Sequence, residues 1–323
     1  MARADGACIP HRAGNVPAVV FADIYLQPQT PDPVLDEGVI VEAARRHVPD
    51  AGPLLAVDES GGEARAYLLG GDVVVKTQRP HRLRPRTNLA KEAFVLAELH
   101  RRGAFPVPRA LGHGRVGTVE YLCLTRIPGS ALRSGAVEPD DRRRALSDLG
   151  RILRALHDLD QSAFGRSELL PGDRSPADLR VRVADIFTRL AAAFDADRSL
   201  GAAVDVRRVA AERLDATPDD VAPVCLHSNP GPEHTFVDVA TGAFTGLIDF
   251  GDAYRSHPAF DFRPWTDRDD AAAVLDGYRS AGPLSPHFDE VRRTVLVIAA
   301  LARAARGATS PDDLAAALDL LLG

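Results

Sequence analysis

The chain changes character at Pro128-Gly129, and that change limits the folds open to it more than any other feature. Before it, short runs of strand character recur at Leu54–Val57, Ala64–Leu69 and Val73–Thr77, separated by Glu59-Ser60-Gly61-Gly62 and by Gly70-Gly71. Glycine-rich links between short apolar runs are hairpin signals, so these three predict an antiparallel meander. A helix follows over about Leu89–Arg101, with Leu89, Ala93, Leu96 and Leu99 on its apolar side and Pro106 and Pro108 beyond its end. A further hairpin closes on Tyr121–Thr125. After Gly129 the period is helical, at Asp141–Leu159, Pro176–Phe194, Val206–Leu214, Ala271–Ser280 and His287–Gly307, interrupted by one compact non-helical island, Val224–Asp252. Strands first, then helices around one island, predict an α+β protein with a hinge near Leu124–Gly129. Ahead of the strands, a helical pattern covers Val39–Val48. Residues 1–33 show no period and carry Pro10, Pro17, Pro28, Pro31 and Pro33, so they read as an irregular arm.

Bulk properties exclude several classes. The chain of 323 residues carries 45 acidic and 39 basic side chains, a net charge of −6, against the basic excess of a nucleic-acid-binding domain. The longest apolar run, Val295–Ala302, is too short to span a bilayer, and no secretory signal pattern opens the chain. Cys8, Cys123 and Cys225 are widely spaced without a CxxC pair, which predicts reduced thiols in a cytoplasmic protein.

Three signals carry chemistry. Val73-Val74-Val75-Lys76 is an apolar strand ending in a cation, and Glu92 follows sixteen positions later in the next helix. A lysine held by a helix carboxylate suits the α- and β-phosphates of a nucleotide. Leu247-Ile248-Asp249-Phe250-Gly251-Asp252 places a carboxylate at a strand end, which suits a magnesium ligand beside phosphates. Between them runs His227-Ser228-Asn229-Pro230-Gly231-Pro232-Glu233-His234, leading into Thr235-Phe236-Val237-Asp238.

Order and spacing together resemble the aminoglycoside phosphotransferase family, part of the protein-kinase-like superfamily, from about Leu54 to the last helices. That family reads His-Gly-Asp, four or five residues, Asn or His, a hydrophobic strand, a turn, then Ile-Asp-Phe/Trp-Gly-Asp. Pro106-Val107-Pro108, Leu124-Thr125-Arg126-Ile127-Pro128-Gly129, Leu149–His157 and His257-Pro258-Ala259-Phe260-Asp261 resemble further pieces of its pattern. The resemblance implies a two-lobed protein-kinase-like fold: a small antiparallel-sheet N-lobe over residues 34–125, then a larger, mainly helical C-lobe over residues 126–323.

Carried over residue by residue, the resemblance implies that Lys76 pairs the phosphates, Glu92 orients Lys76, and Asp249 and His234 hold Mg2+. His227 and Asn229 belong to the catalytic loop. Leu124, within the hinge strand Leu122–Thr125, offers backbone groups to the base, and Ser60, Gly61 and Gly62 form the phosphate-covering turn. Asp261 braces the catalytic loop. The implied nucleotide is ATP, with GTP, used by some relatives, left open, and the acceptor is a small-molecule hydroxyl, with no nucleic acid or membrane as partner. A cationic acceptor would call for acids such as Asp219, Asp220, Asp267, Asp269 and Asp270 along the cleft.

One departure stands at the centre. The family keeps its catalytic aspartate where this chain has Asn229. An amide oxygen accepts a hydrogen bond and orients a hydroxyl, but it takes up no proton at a useful pH. Three readings stand side by side: an impaired or differently assisted phosphotransferase, a silent nucleotide-binding pseudokinase, and a kinase of peptide serine or threonine in a natural-product pathway. Nearby, Glu233 and Asp252 are read as structural. The stretch His81-Arg82-Leu83-Arg84-Pro85-Arg86 reads as a solvated loop, His157 and Trp265 as packed, and Cys225 as an inert buried thiol.

Overall fold

The computed structural model describes residues 25–84, 88–133, 135 and 137–322. Residues 1–24 of the expected arm lie outside these, as do Cys8, Pro85 and Arg86. Residues 25–36 lie against the smaller lobe without regular structure.

Helix α1 (Glu37–Arg45) precedes strands β1 (Leu54–Asp58), β2 (Ala64–Leu69) and β3 (Val73–Gln78). It ends earlier than the expected Val48, because a residue before proline disfavours the helical region and Pro49 stops the chain from continuing. The three strands form the expected meander. Helix α2 (Leu89–Arg102), opened by an Asn88 side chain that accepts from Lys91 N–H, leads to β4 (Ala110–Val116) and β5 (Val119–Thr125). The sheet order is β1-β2-β3-β5-β4, antiparallel throughout, so β5 and not β4 lies beside β3.

The sheet has two unlike faces. Buried and less buried residues alternate along β2 and β3, and the register pairs Arg65 with Thr77, Tyr67 with Val75 and Leu69 with Val73. This face packs with Ile40, Ala43 and Ala44 of α1 in a small core of its own. Lys76 and Ala66, paired in register, lie on the opposite face. Strand β5 is buried on both sides, with Tyr121 and Cys123 in the small core and Leu122 and Leu124 in the large one.

The large core is continuous from α2 into the helical lobe. There follow β6 (Ser130–Ala131), α3 (Pro139–His157), α4 (Ser162–Arg166), α5 (Asp178–Ala196), α6 (Arg198–Ala203) and α7 (Val206–Asp215). The island contains β7 (Val224–Leu226), β8 (Thr235–Val237) and β9 (Phe244–Leu247), with β10 (Tyr254–Ser256) just after it. Then come α8 (Arg268–Ser280), α9 (Phe288–Ala305) and a terminal α10 (Pro311–Leu322), which the periodic reading did not mark. Strands β6, β8 and β9 form one small sheet, and β7 and β10 another.

Two close approaches fix the geometry around the site. Gly129 has φ +90, and a Cβ there would stand 2.1 Å from the Val237 carbonyl oxygen, so the break between the lobes requires glycine. Helices α3 and α8 approach through Gly150 and Gly277, where a Cβ would come within 2.0 Å and 1.9 Å of the other helix's carbonyl oxygens. Among the described residues no helix is long and apolar enough to cross a membrane.

Candidate active site

The island folds as strand, loop, hairpin, loop and strand. Strand β7 ends at Leu226 and delivers His227, Ser228 and Asn229 into a loop that returns as β8. The β8–β9 turn is closed by Asp238, whose Oδ1 accepts from the N–H groups of Ala240 and Thr241 at 2.9 Å and 3.0 Å. Strand β9 then delivers Asp249, and β10 pairs back with β7. This hairpin puts the residue-229 loop and the residue-249 loop side by side.

Lys76 reaches both partners at once. Its Nζ lies 2.8 Å from Glu92 Oε2 and 2.6 Å from Asp249 Oδ1. Burial alone would lower the Lys76 pKa, but the Asp249 and Glu92 carboxylates outweigh it and raise the value above that of an ordinary lysine. For Asp249 burial works upward, while Lys76 and His234 hold the carboxyl well below the usual range. Burial raises Glu92, against the pull of Lys76. The cation is therefore fixed by two carboxylates from different parts of the chain.

His227 is fully buried, and both its ring nitrogens bond to backbone. Nε2 donates to the Ile248 carbonyl at 2.8 Å, and Nδ1 accepts from the Asn229 N–H at 3.2 Å. Phe250 packs against its ring with centroids 4.5 Å apart. Burial, then the neighbouring His234, pushes its pKa down to about 4. A neutral imidazole so engaged ties the two loops together and has no nitrogen left for proton transfer. Sequence reasoning grouped His227 with Asn229 as catalytic; in the structure its two ring nitrogens are bonded to the backbone of Ile248 and Asn229.

Asn229 is held by its backbone, and its carbonyl accepts from His234 Nδ1 at 2.7 Å and from Gly231 N–H at 2.8 Å. Among the described residues its side-chain amide has no hydrogen-bond partner, which leaves it available to a ligand. Because a carbonyl only accepts, His234 Nδ1 carries the hydrogen, and Nε2 stands 3.4 Å from Asp249 Oδ2. A ring nitrogen and a carboxylate oxygen facing each other suit a shared proton or a divalent cation. Among the described residues no group of three or more His, Cys, Asp or Glu converges on a metal position, so phosphate or water oxygens would complete any shell there.

Beneath the loop, Asp261 is fully buried and accepts from the N–H groups of His227 at 2.9 Å and Ser228 at 2.6 Å. It also accepts from His157 Nε2 at 3.1 Å, while His157 Nδ1 takes the Tyr278 hydroxyl at 3.0 Å. The Gly150–Gly277 approach brings α3 and α8 close enough for that last contact. Ser228 and Asp249 adopt φ +83 and +69, left-handed values that cost a non-glycine residue about 1–2 kcal/mol and that collect at functional sites. Arg263 Nη2 donates to the Ser228 carbonyl at 3.1 Å from the other side.

Ser60, Gly61 and Gly62 lie in the β1–β2 turn, and Leu124 lies in β5 opposite Val74. Sequence reasoning missed what surrounds them. Arg84 is not a solvated loop residue: its Nη2 donates to Asp252 at 2.8 Å and its Nε pairs with Glu63, linking the β1–β2 hairpin to the Asp249 loop. The acids named for a cationic acceptor have partners or positions of their own. Asp267 caps α8 and Asp270 holds Arg142 at 2.6 Å and 2.8 Å, while Asp219 and Asp220 lie exposed before β7. Cys225 is a buried thiol whose pKa burial raises, and Trp265 is buried in the large core.

The sequence matches the phosphotransferase enzyme family over residues 55–293. The fold is similar to the GDP complex of wild-type aminoglycoside 2'-phosphotransferase-IIIa, with a TM-score of 0.60 at 19% identity, covering 89% of this chain and 97% of that one. It is similar to the apoenzyme of macrolide 2'-phosphotransferase MphH from Brachybacterium faecium, with a TM-score of 0.57 at 22% identity, covering 86% and 97%. The streptomycin–ATP–APH(2")-IIa ternary complex gives a TM-score of 0.53 at 14% identity, covering 84% and 90%.

Proposed function

The chain belongs to the phosphotransferase enzyme family, and from that premise we propose that it moves the γ-phosphoryl group of ATP or GTP to a hydroxyl of a small molecule, slowly because of Asn229. The observation that carries this reading is the convergence of Lys76, Glu92 and Asp249 beside a loop whose Asn229 side-chain amide has no hydrogen-bond partner among the described residues. Lys76 holds the α- and β-phosphates and gives up Asp249 in doing so, while Glu92 keeps the ammonium aimed. Asp249 and His234 would hold Mg2+, which when bound neutralises phosphate charge. Asn229 accepts a hydrogen bond from the acceptor hydroxyl and orients it. The new O–P bond forms as the bond from the γ-phosphorus to the bridging oxygen breaks, and the hydroxyl proton leaves to a phosphoryl oxygen or to water rather than to residue 229.

The family's structures include proteins named for aminoglycosides and a macrolide, so polyhydroxylated small molecules of those classes are the first acceptors to try. Transfer is measured with ATP and GTP, with magnesium, for the chain as it stands and for Asn229→Asp. General-base catalysis contributes about 10²–10⁴-fold, so the substitution should raise turnover by that order. No thermal stabilisation by either nucleotide with magnesium would sink the proposal, since a ligand at about a hundred times its Kd stabilises by about 2.7 kcal/mol.

One second reading has its own support. Asn229 together with the direct Lys76–Asp249 pair suits a protein that binds nucleotide and does not turn it over. A nucleotide-dependent rise in melting temperature without transfer in either form would favour it.

A further inference from the structure

Residues 25–36 cross the outer face of the small lobe, away from Lys76, and have no part in the chemistry above. Their contacts run in order along the sheet. Leu26 N–H donates to the Leu83 carbonyl at 2.8 Å, the Pro33 carbonyl accepts from Arg65 Nη1 at 2.7 Å, and Leu35 N–H donates to the Tyr67 hydroxyl at 3.2 Å. Between them Asp32 meets two arginines. Its Oδ2 accepts from Arg79 Nη2 at 2.6 Å, Arg79 Nε at 3.1 Å and Arg65 Nη2 at 2.9 Å; its Oδ1 accepts from Arg65 Nη1 at 3.4 Å. His81 Nδ1 stands 3.9 Å from the same carboxylate.

What those arginines hold next is the β1–β2 turn. Arg65 Nε donates to Glu59 Oε1 at 2.6 Å. Arg79 Nη1 donates to the backbone carbonyls of Gly61 at 3.2 Å and Glu59 at 3.4 Å, on either side of Ser60. A guanidinium is planar and its N–H directions are fixed relative to one another, so a carboxylate on one edge determines where the other edge points. The Arg65 and Arg79 side chains are only 2% and 9% exposed, and two cations this close and this dry need a shared anion. Asp32 is placed to be that anion. Burial acts to raise its pKa, and the pairing with Arg79 and Arg65 outweighs it and lowers the value.

We propose that Asp32 is a positioning residue of the nucleotide site: through Arg79 and Arg65 it sets the backbone of the turn at Glu59–Gly62, making the segment from Leu26 to Leu35 a working part of the nucleotide-binding half. The inference rests on the reading of that turn as the cover of the phosphates. It differs from a stability contact in what it predicts. Loss of the Asp32 charge should loosen the turn and weaken nucleotide binding while leaving the acceptor side alone.

The test compares the full chain with Asp32→Asn, Asp32→Glu and Arg79→Lys. Amide hydrogen exchange is followed at residues 58–64 and at residues 226–230 without ligand, and Kd for ATP and GTP with magnesium is measured by calorimetry. Asp32→Asn and Arg79→Lys should speed exchange at 58–64 alone and raise the nucleotide Kd roughly tenfold, the order expected when a positioning group shifts by a fraction of an ångström. Asp32→Glu should recover most of the affinity. Unchanged Kd in both Asp32→Asn and Arg79→Lys, whatever happens to the melting temperature, overturns the inference and leaves Asp32 a stability contact. Unchanged exchange at 58–64 overturns it too. A wild-type chain that binds neither nucleotide overturns the function proposed above, and this inference with it. Binding by wild type with equal binding by Asp32→Asn overturns this inference only.

Discussion

The two sides of the cleft are held by different forces. The floor, made of the Asn229 and Asp249 loops, is fixed by buried hydrogen bonds to backbone: Asp261 to the N–H groups of His227 and Ser228, and His227 to Ile248 and Asn229. The roof, the β1–β2 hairpin, is fixed by ion pairs with partly solvated partners, Asp32 with Arg65 and Arg79 on the outside and Arg84 with Glu63 and Asp252 toward the cleft. Directional bonds in a dry interior meet no competing water, whereas the acids of the hairpin's ion pairs, Asp32, Glu63 and Asp252, are 25%, 22% and 26% exposed, so water can compete for them although Arg65 and Arg79 are buried. The proposed phosphoryl-transfer site would use both kinds: a floor to keep the acceptor in line and a roof to let nucleotide in and out.

The floor depends most on Asp261. Asp261→Asn leaves one loop N–H facing an amide N–H in a dry site, and should cost about 3 kcal/mol in urea unfolding. Exchange at residues 226–230 should rise while that at 58–64 stays as it was. An equal rise in both would show that floor and roof are one cooperative unit.

Acid separates the two sides next. His227 has its folded pKa depressed to about 4, below the ordinary value of about 6.5, so the unfolded chain takes up the proton first as pH falls. Its contribution is complete above about pH 6.5 and is lost as pH falls toward about 4, roughly 2 kcal/mol of it between pH 7 and 5. His257, pushed down to about 3 by burial, acts in the same direction. Asp32 is depressed instead, so its pairing persists until pH falls below the ordinary carboxylate value. Urea unfolding at pH 7 and pH 5 should show the loss, and His227→Asn, whose Oδ1 takes the place of Nδ1, should flatten it by about the His227 share.

Strain gives a smaller effect. Ser228 sits at φ +83, so Ser228→Gly should raise the unfolding free energy by about 1 kcal/mol or less, the relief of left-handed backbone offset by glycine's greater freedom when unfolded. A fall in stability would mean that the Ser228 side chain contributes a contact. Smallest is salt. At about 1 M the screening length shrinks to about 3 Å, and exchange at residues 58–64 should quicken about threefold with residues 226–230 unchanged.

The fold was legible wherever neighbours in sequence are neighbours in space. Strand β2 was read residue for residue and α2 to within one residue, because glycine links bound the strand and Leu89, Ala93, Leu96 and Leu99 recur at helical spacing. Helix α1 was read too far along, since the last turn before Pro49 shows no loss of apolar pattern. Helix α10 escaped although Leu314 and Leu318 are buried at helical spacing, and α4 and α6 are too short to show a period. At the site, Lys76, Glu92 and Asp249 stood out by motif spacing. Arg84 was misread because a basic run looks the same whether it is solvated or paired.

The sequence alone determined the types of most elements, the lobe order and the chain positions of the site groups, because periodicity, glycine turns and motif spacing are short-range properties. Tertiary structure decided which charges meet. Asp32 and Arg79 are 47 positions apart, His157 and Asp261 104, and Arg84 and Asp252 168. An aspartate in an irregular arm has no pattern to announce its partner. The selection is made when two surfaces close, water leaves, and a buried guanidinium accepts only the carboxylate that stands in the plane of its N–H groups.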